Sequence, residues 1–258
     1  MAKKTSEKDI IIVTNLVKTF GDFTAVNDIS FAVKRGEIFG ILGPNGAGKT
    51  TTLETIETLQ QQTSGEIYVD GIDTKKHPND VKLRIGVQLQ STSFYPELKL
   101  TELLSMFAAM YDTHIEPMAL LEKVNLADKA GSFVNKLSGG QKQRFSIATT
   151  LVNSPIIIFL DEPTTGLDPQ ARLNLWDMIR EINKTGVTIV LTTHYMEEAE
   201  QLCDRLAIMD SGKIVTIGTP KKLIEDLLRT GFKKEIIRQK ASLEDVFLHL
   251  TGKELRDE

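Results

Sequence analysis

Apolar and polar residues alternate along Ile10–Val17 and again along Ile29–Val33, the period of a strand with one buried face. At Glu37-Ile38-Phe39-Gly40-Ile41-Leu42 the alternation gives way to a short apolar run, which reads as a buried strand ending on a glycine-rich loop. Thr50–Leu59 then takes up helical spacing, and Ser64–Gly71 predicts a further strand between turns, Asp70-Gly71 being a good turn pair. From about Pro96 to Val152 the period changes. Leu100–Met110, Met118–Val124 and Gln141–Leu151 all have helical apolar spacing, which predicts an inserted helical subdomain between two strand-rich halves. Strand–helix alternation resumes with Ile156–Leu160, a helix around Leu173–Ile182 and the run Val187–Leu191. Such alternation predicts an α/β fold with a largely parallel sheet covered by helices. From Pro220 the chain is charged and helix-prone with a break at Gly231, a short appendage and not a second domain.

Composition narrows this picture without redirecting it. A chain of 258 residues, 41% hydrophobic and 26% charged, is an ordinary globular protein with room for one core and an inserted subdomain. Its formal net charge of -4 gives no reason to expect a nucleic-acid partner. The single cysteine, Cys203, excludes an internal disulfide and any cysteine-clustered zinc site, and reads as a buried helix residue without chemistry in a reducing cytosol. The start, Met1 to Asp9, is charged and lacks the apolar core of a secretory signal. Apolar runs such as Ile156–Leu160 fall far short of the ~18–20 residues that span a bilayer. The chain is expected to be soluble, with any membrane role supplied through a partner.

The chemistry is concentrated in two loops. Gly43-Pro44-Asn45-Gly46-Ala47-Gly48-Lys49-Thr50, followed by Thr51, matches the P-loop pattern and sits between an apolar strand and a helix, as its mechanism requires. Its backbone N–H groups and the helix end attract phosphate; Lys49 is expected to neutralise the β- and γ-phosphates, and the Thr50 hydroxyl to ligate Mg²⁺. The apolar strand ending in Asp161-Glu162 supplies an acid to hold Mg²⁺ through water and a general base, Glu162, to polarise an attacking water. The second loop is Leu137-Ser138-Gly139-Gly140-Gln141-Lys142-Gln143-Arg144. Ser138 is a good N-cap, and the two glycine amides open the helix that starts near Gln141, so this loop also seeks an anion. One nucleotide does not need two such loops.

In this order the P-loop, Leu137–Gln141, Asp161-Glu162-Pro163 and His194 resemble the ATP-binding cassette (ABC) ATPase family, over about residues 10 to 218. The resemblance implies a P-loop NTPase core, about residues 9–90 and 153–219, with a mostly parallel sheet and an antiparallel β subdomain. It further implies a helical subdomain at about 91–152 and a helical tail at about 220–258. It also implies that the second loop completes the ATP site of a second cassette, head to tail, with Ser138 and Gly140 reaching the partner's γ-phosphate. By the same resemblance Phe20 stacks on adenine, Gln90 reaches Mg²⁺ and the attacking water, Asp168 crosses between cassettes, and His194 contacts the γ-phosphate. Gln88, two residues before Gln90, leaves that register open. His77, His114 and His249 carry no such position.

The implied function is the ATPase subunit of a membrane transporter, a homodimer of cassettes held on the inner face of the membrane by a separate permease subunit. His194-Tyr195-Met196-Glu197-Glu198-Ala199-Glu200 and the tail Ser242–Gly252 resemble ABC-2-type exporters, although Leu243, Val246, Phe247 and Leu250 also form one apolar helix face. The alternatives are an importer subunit and a soluble ABC ATPase driving macromolecular assembly. A repair-type ATPase needs a long coiled coil between the two loops, and no heptad run is present; a ribosome-acting one usually carries two P-loops, and there is one. The permease is expected to dock near Ser91–Leu98.

Overall fold

In the computed structural model the structure describes residues 9–89 and 93–232. Packing divides the chain after Lys222 into two compact units.

The first unit opens with a hairpin of β1 (Asp9–Phe20) and β2 (Phe23–Lys34), turned at Gly21, whose φ is 57°. The strands are longer than their alternation suggests. Asn15 sits at a break in register with φ 49°, its side chain hydrogen-bonded to Asp28 at 2.8 Å, and the extra residue flips the parity of the buried face from Ile11 and Val13 to Leu16. Period-two reading loses phase at such a bulge. β4 (Ser64–Val69) joins β1, and the Asp70-Gly71 turn, both residues at positive φ, returns the chain into β5 (Ile72–Asp73). The result is an antiparallel sheet ordered β2-β1-β4-β5.

β3 (Ile38–Leu42), α1 (Lys49–Ile56), α2 (Pro78–Lys82), β6 (Ile85–Gln88), β7 (Ile157–Asp161), α6 (Pro169–Lys184), β8 (Thr188–Thr193), α7 (Met196–Leu202), β9 (Arg205–Asp210) and β10 (Lys213–Gly218) build a second sheet and its cover. Its order is β10-β9-β3-β8-β7-β6, parallel throughout except for β10 against β9. The two sheets share one core, in which Leu16, Val26 and Phe31 of the first meet Phe39, Phe159 and Val190 of the second; Phe31 stacks on Phe39 with centroids 5.5 Å apart. β6, α2, α7, β9 and β10 were beyond the hydrophobic pattern. β6 is four residues, one of them Gly86, against which Thr150 O packs so closely that a Cβ would lie 2.2 Å from it.

Between β6 and β7 the described chain is helical apart from turns: α3 (Leu100–Met110), α4 (Pro117–Lys123), two short 3₁₀ turns and α5 (Gly139–Thr150). Leu103, Leu104, Leu121 and Phe145 are buried here, and Phe94 meets the Phe107 and Phe145 rings edge-on at 6.4 and 5.1 Å. The second unit contributes most of α8 (Pro220–Arg229), a helix with Ile224, Leu227 and Leu228 exposed on one face, after which Gly231 turns at φ 85°. Ser242–Gly252, His249 and residues 1–8 lie outside the described residues.

Candidate functional site

The order β3-β8-β7 brings the carboxyl ends of three adjacent strands together, the position at which parallel α/β sheets bind ligands. Each delivers one sequence-marked group: the P-loop after Leu42, His194 after Thr193, and Asp161-Glu162 at the end of β7. Leu42 pairs with Thr193 and Asp161 with Thr192 in register.

The P-loop fits its surroundings tightly on one side and is open on the other. A Cβ on Gly43 would lie 2.2 Å from Met209 O and one on Gly48 2.4 Å from Ala25 O, whereas Gly46, at φ 80°, has nothing within 4 Å. Ala47 is buried, with its N–H on Pro44 O at 3.2 Å. Gly48, in the left-handed region at φ 98°, caps α1 without using a side chain, so the first amides of the helix face outward for an anion. The loop, with Phe23, Asn45, Gly46, Lys49, Thr51 and Glu162 among its walls, encloses a cavity of about 350 Å³. Phe20 is not part of this wall. It is half exposed at the end of β1 under the Lys18 ammonium, 4.6 Å from its ring centroid, and pairs across the hairpin with Phe23, which is the more exposed of the two.

Charge at the cavity floor is paired. Lys49 Nζ lies 3.2 Å from Glu162 Oε1 and donates to Pro44 O at 3.0 Å; both side chains of the ion pair are nearly buried. His194 Nδ1 is 3.1 Å from Glu162 Oε2, and because a carboxylate only accepts, Nδ1 carries the proton in this pair. Burial by itself would raise the Glu162 carboxyl, but the Lys49 ammonium and then His194 outweigh it and hold the group below its ordinary value. Glu162 sits at φ 48°, a conformation of appreciable strain outside glycine, and its N–H is tied to Thr192 Oγ1 at 3.0 Å. That turn aims the carboxylate back at Lys49 and His194.

One residue earlier, Asp161 points elsewhere. Both of its oxygens accept from Thr50 Oγ1, at 3.1 and 3.0 Å, and Thr192 Oγ1 donates to Oδ1 at 2.5 Å. A hydroxyl and a carboxylate converging beside a phosphate loop are the hard oxygen donors that Mg²⁺ takes, so these residues fit the ion. Among the described residues no group of three or more His, Cys, Asp or Glu could cage a metal. Gln90 lies outside the described residues. Gln88 is buried and its Nε2 donates to Leu89 O.

At the C-terminal end of α1, Glu57 is 2% exposed, and burial, then the charges of Asp161 and Glu54, push its carboxyl up to about 8. Nothing in the sequence pattern marked it. Folding therefore takes up a proton between pH 4.5, the ordinary value, and about 8, and stability falls as pH rises through that window. Glu57→Gln should be the more stable chain at pH 8, by on the order of a few kcal/mol, with little difference at pH 4.5. Urea unfolding of both chains at the two pH values checks this; parallel pH dependences would disprove it.

The second loop lies on a different surface. Ser138 caps α5, its Oγ accepting from Gln141 N at 3.3 Å while Gln141 Oε1 accepts from Ser138 N at 2.9 Å, and the helix begins at Gly139, two residues before the expected start. Leu137 is buried beneath it. Asp168 caps α6 in the same manner, accepting from Ala171 N at 2.7 Å. Ser138, Gly139, Gly140, Gln141 and Asp168 line one cavity of about 330 Å³, which has no residue in common with that of the P-loop. Gly140 abuts Ala171, where a Cβ would come within 3.1 Å. Apart from Phe20, which lines neither cavity, and Gln90, which lies outside the described residues, the sequence-marked residues fall into two separate groups. Thr192, Phe23 and Thr165, whose Oγ1 donates to Glu162 Oε2 at 3.2 Å, join the first without having been marked. Cys203 is buried just past the end of α7, in contact range of Gly40, and burial drives its thiol far up, so it is inert; it is a helix cap, not an interior helix residue.

Known proteins resemble this chain in sequence and in fold. The ABC transporter family model matches residues 26–165. The linearmycin resistance ATP-binding protein LnrL of Bacillus subtilis is 39% identical over 91% of this chain and 81% of its own. The Nod factor export ATP-binding protein I of Burkholderia lata is 36% identical over 94% and 97%. Among solved structures, an ATP-binding subunit of an ABC transporter superposes with a TM-score of 0.75 at 29% identity, covering 94% of this chain and 99% of its own. A bacterial ABC transporter cassette solved as a dimer gives 0.73 at 29%, covering 81% and 98%. With the family match spanning more than half of its residues, the chain belongs to the ABC transporter family as one of its ATP-binding proteins.

Proposed function

We propose that this chain is the Mg·ATP-hydrolysing subunit of an exporter, working as a head-to-tail homodimer beneath a separate membrane subunit. The observation that carries the reading is the separation of the two cavities: the Ser138–Asp168 surface is built for an anion that its own P-loop does not hold. A second copy related by a two-fold axis satisfies both halves at once.

In this reading the P-loop from Gly43 to Thr51 binds the phosphates, with an exposed aromatic at the hairpin end, Phe20, against the base. Thr50 and Asp161, with Gln90, would hold Mg²⁺, which when bound would neutralise charge on the phosphate oxygens. An incoming γ-phosphate competes with Glu162 for the Lys49 ammonium. Once released, the Glu162 carboxylate accepts a proton from the attacking water, and His194, oriented through Nδ1, presents its other nitrogen to the γ-phosphate. Leu137–Gln141 and Asp168 act on the partner's nucleotide.

The domain plan we assign is a core with β subdomain (about 9–90 and 153–219), a helical subdomain (about 91–152) and a tail (about 220–258). No helix of the described residues is long and apolar enough to cross a membrane; in this reading the separate subunit supplies the spans. Its dock is a cavity of about 260 Å³ between β6 and α5, lined by Gln88, Phe94, Pro96, Lys142 and Ser146. Tyr95, between Phe94 and Pro96 in the chain, is 61% exposed and so within reach of a docking partner. Ser91 and Thr92 lie outside the described residues. Affinity capture of the full chain from detergent-solubilised membranes of its host should recover a protein of several apolar spans, and Tyr95→Ala should recover several-fold less of it. Recovery with a soluble scaffold protein alone would instead support an assembly ATPase.

A further inference from the structure

α6 begins immediately after Asp168, and α7 begins immediately after His194 and Tyr195. Each helix thus starts at a different half of the site. The two are joined by a ladder. Arg172 Cζ sits 4.5 Å from the centroid of the Tyr195 ring. Trp176 Nε1 donates to Glu198 Oε1 at 3.0 Å, and Arg180 Nη2 donates to Gln201 O at 2.8 Å. Arg172, Trp176 and Arg180 recur every fourth residue and so share one face of α6, while their partners recur every third residue from Tyr195, the N-cap of α7, onward. The top rung touches the site directly, because the Tyr195 and His194 rings are 4.1 Å apart and His194 reaches Glu162.

The middle rung is costly as mere packing. Glu198 is fully buried, and its Oε2 has no hydrogen-bond partner among the described residues. A leucine would fill the same space without the desolvation penalty of a buried acid. What the acid supplies is direction: a single acceptor fixes the register of the two helices at the indole N–H.

We propose that this ladder is a coupling device, with Trp176 and Glu198 as a positioning pair, which sets His194 according to whether the Asp168 loop is engaged by a partner cassette. The inference rests on the head-to-tail dimer proposed above and names how one half of the site informs the other. Neither residue touches nucleotide; they act through the tilt of α7 on His194.

The test measures ATP hydrolysis against ATP concentration in the full chain, with binding of a fluorescent ATP analogue and thermal unfolding alongside. Glu198→Gln keeps an oxygen acceptor and should retain turnover and cooperativity. Glu198→Leu should bind the analogue normally while turnover falls about tenfold and the Hill coefficient drops from about 2 towards 1, a coupling of ordinary allosteric size. Should Glu198→Leu fail to fold, Arg172→Met, at a half-buried rung, should give the same loss of cooperativity. A double-mutant cycle between Arg172→Met and Asp168→Ala should show non-additive turnover. Trp176 is the sole tryptophan, so its emission reports on the middle rung. It should shift on ATP addition in the Glu162→Gln background, and not when Ser138→Asp is added to prevent closure. Loss of thermal stability with an unchanged Hill coefficient and an additive cycle would make the ladder structural only and overturn the proposal. A wild-type chain with no cooperativity and no dimer would overturn the dimer reading itself, and the ladder with it.

Discussion

Glu162→Gln is expected to bind Mg·ATP at least as tightly as the parent chain and to hydrolyse it about 10²–10⁴-fold more slowly, the usual contribution of a positioned base. The asymmetry follows from the cavity floor. Glu162 is both the base and the counter-charge of Lys49, 3.2 Å away and almost without solvent. The amide removes the proton acceptor, which lowers turnover, and also removes the competitor for the Lys49 ammonium, which favours the γ-phosphate. In barrier terms the loss is about 3–5 kcal/mol. Because binding survives and release does not follow, the variant should accumulate as an ATP-bound dimer in size-exclusion chromatography. Single-turnover hydrolysis and nucleotide affinity, measured together, check this; near-normal turnover would remove Glu162 from its role.

Ser138→Arg should leave ATP affinity unchanged and abolish both dimer closure and steady-state hydrolysis, a loss of about 10²-fold or more. The side chain lies in the cavity shared with Asp168 and not in the one around Lys49, so the variant's own nucleotide is untouched. Arginine fills that cavity but also deletes a helix cap, at about 1 kcal/mol. Ser138→Asp separates the two effects. Aspartate caps as well as serine does, so α5 should keep its stability, while its charge repels a partner's γ-phosphate. Both variants should fail to close. A Ser138→Asp chain that dimerises and turns over normally would show that this surface meets no nucleotide.

Much of the site was legible because its residues obey local rules. The P-loop must follow a strand and open a helix, and Gly48 at φ 98° ahead of Lys49 is that rule in atoms. Ser138 and Asp168 are caps, a role that residue type and neighbours decide within one turn. Leu100–Met110 is an element whose apolar period is uninterrupted, and it emerges with those bounds. The misses share a different cause. β1 runs three residues past its readable alternation, and within it the bulge at Asn15 changes the parity of the buried face, a feature that only strand pairing reveals. β6, β9 and β10 are held by neighbours on the sheet more than by a pattern of their own. Thr192 is one of many threonines in the sequence, and becomes notable only when β8 lies beside β7 and its hydroxyl bridges Asp161 and the Glu162 amide.

What the sequence determined by itself is the chemistry available: a phosphate loop, an acid pair at a strand end, a histidine past another strand, and a second anion-seeking helix cap. Those are properties of short segments, fixed by backbone freedom, capping and charge. Which of them meet was decided by the tertiary structure. The strand order β3-β8-β7 brings Lys49 and His194, 145 positions apart, onto Glu162 and sets Asp161 against Thr50 beside them, and leaves Ser138 facing outward with Asp168. Pairing between strands distant in the chain has no local signature, because its energy comes from burying one shared core and not from any one segment's own preference.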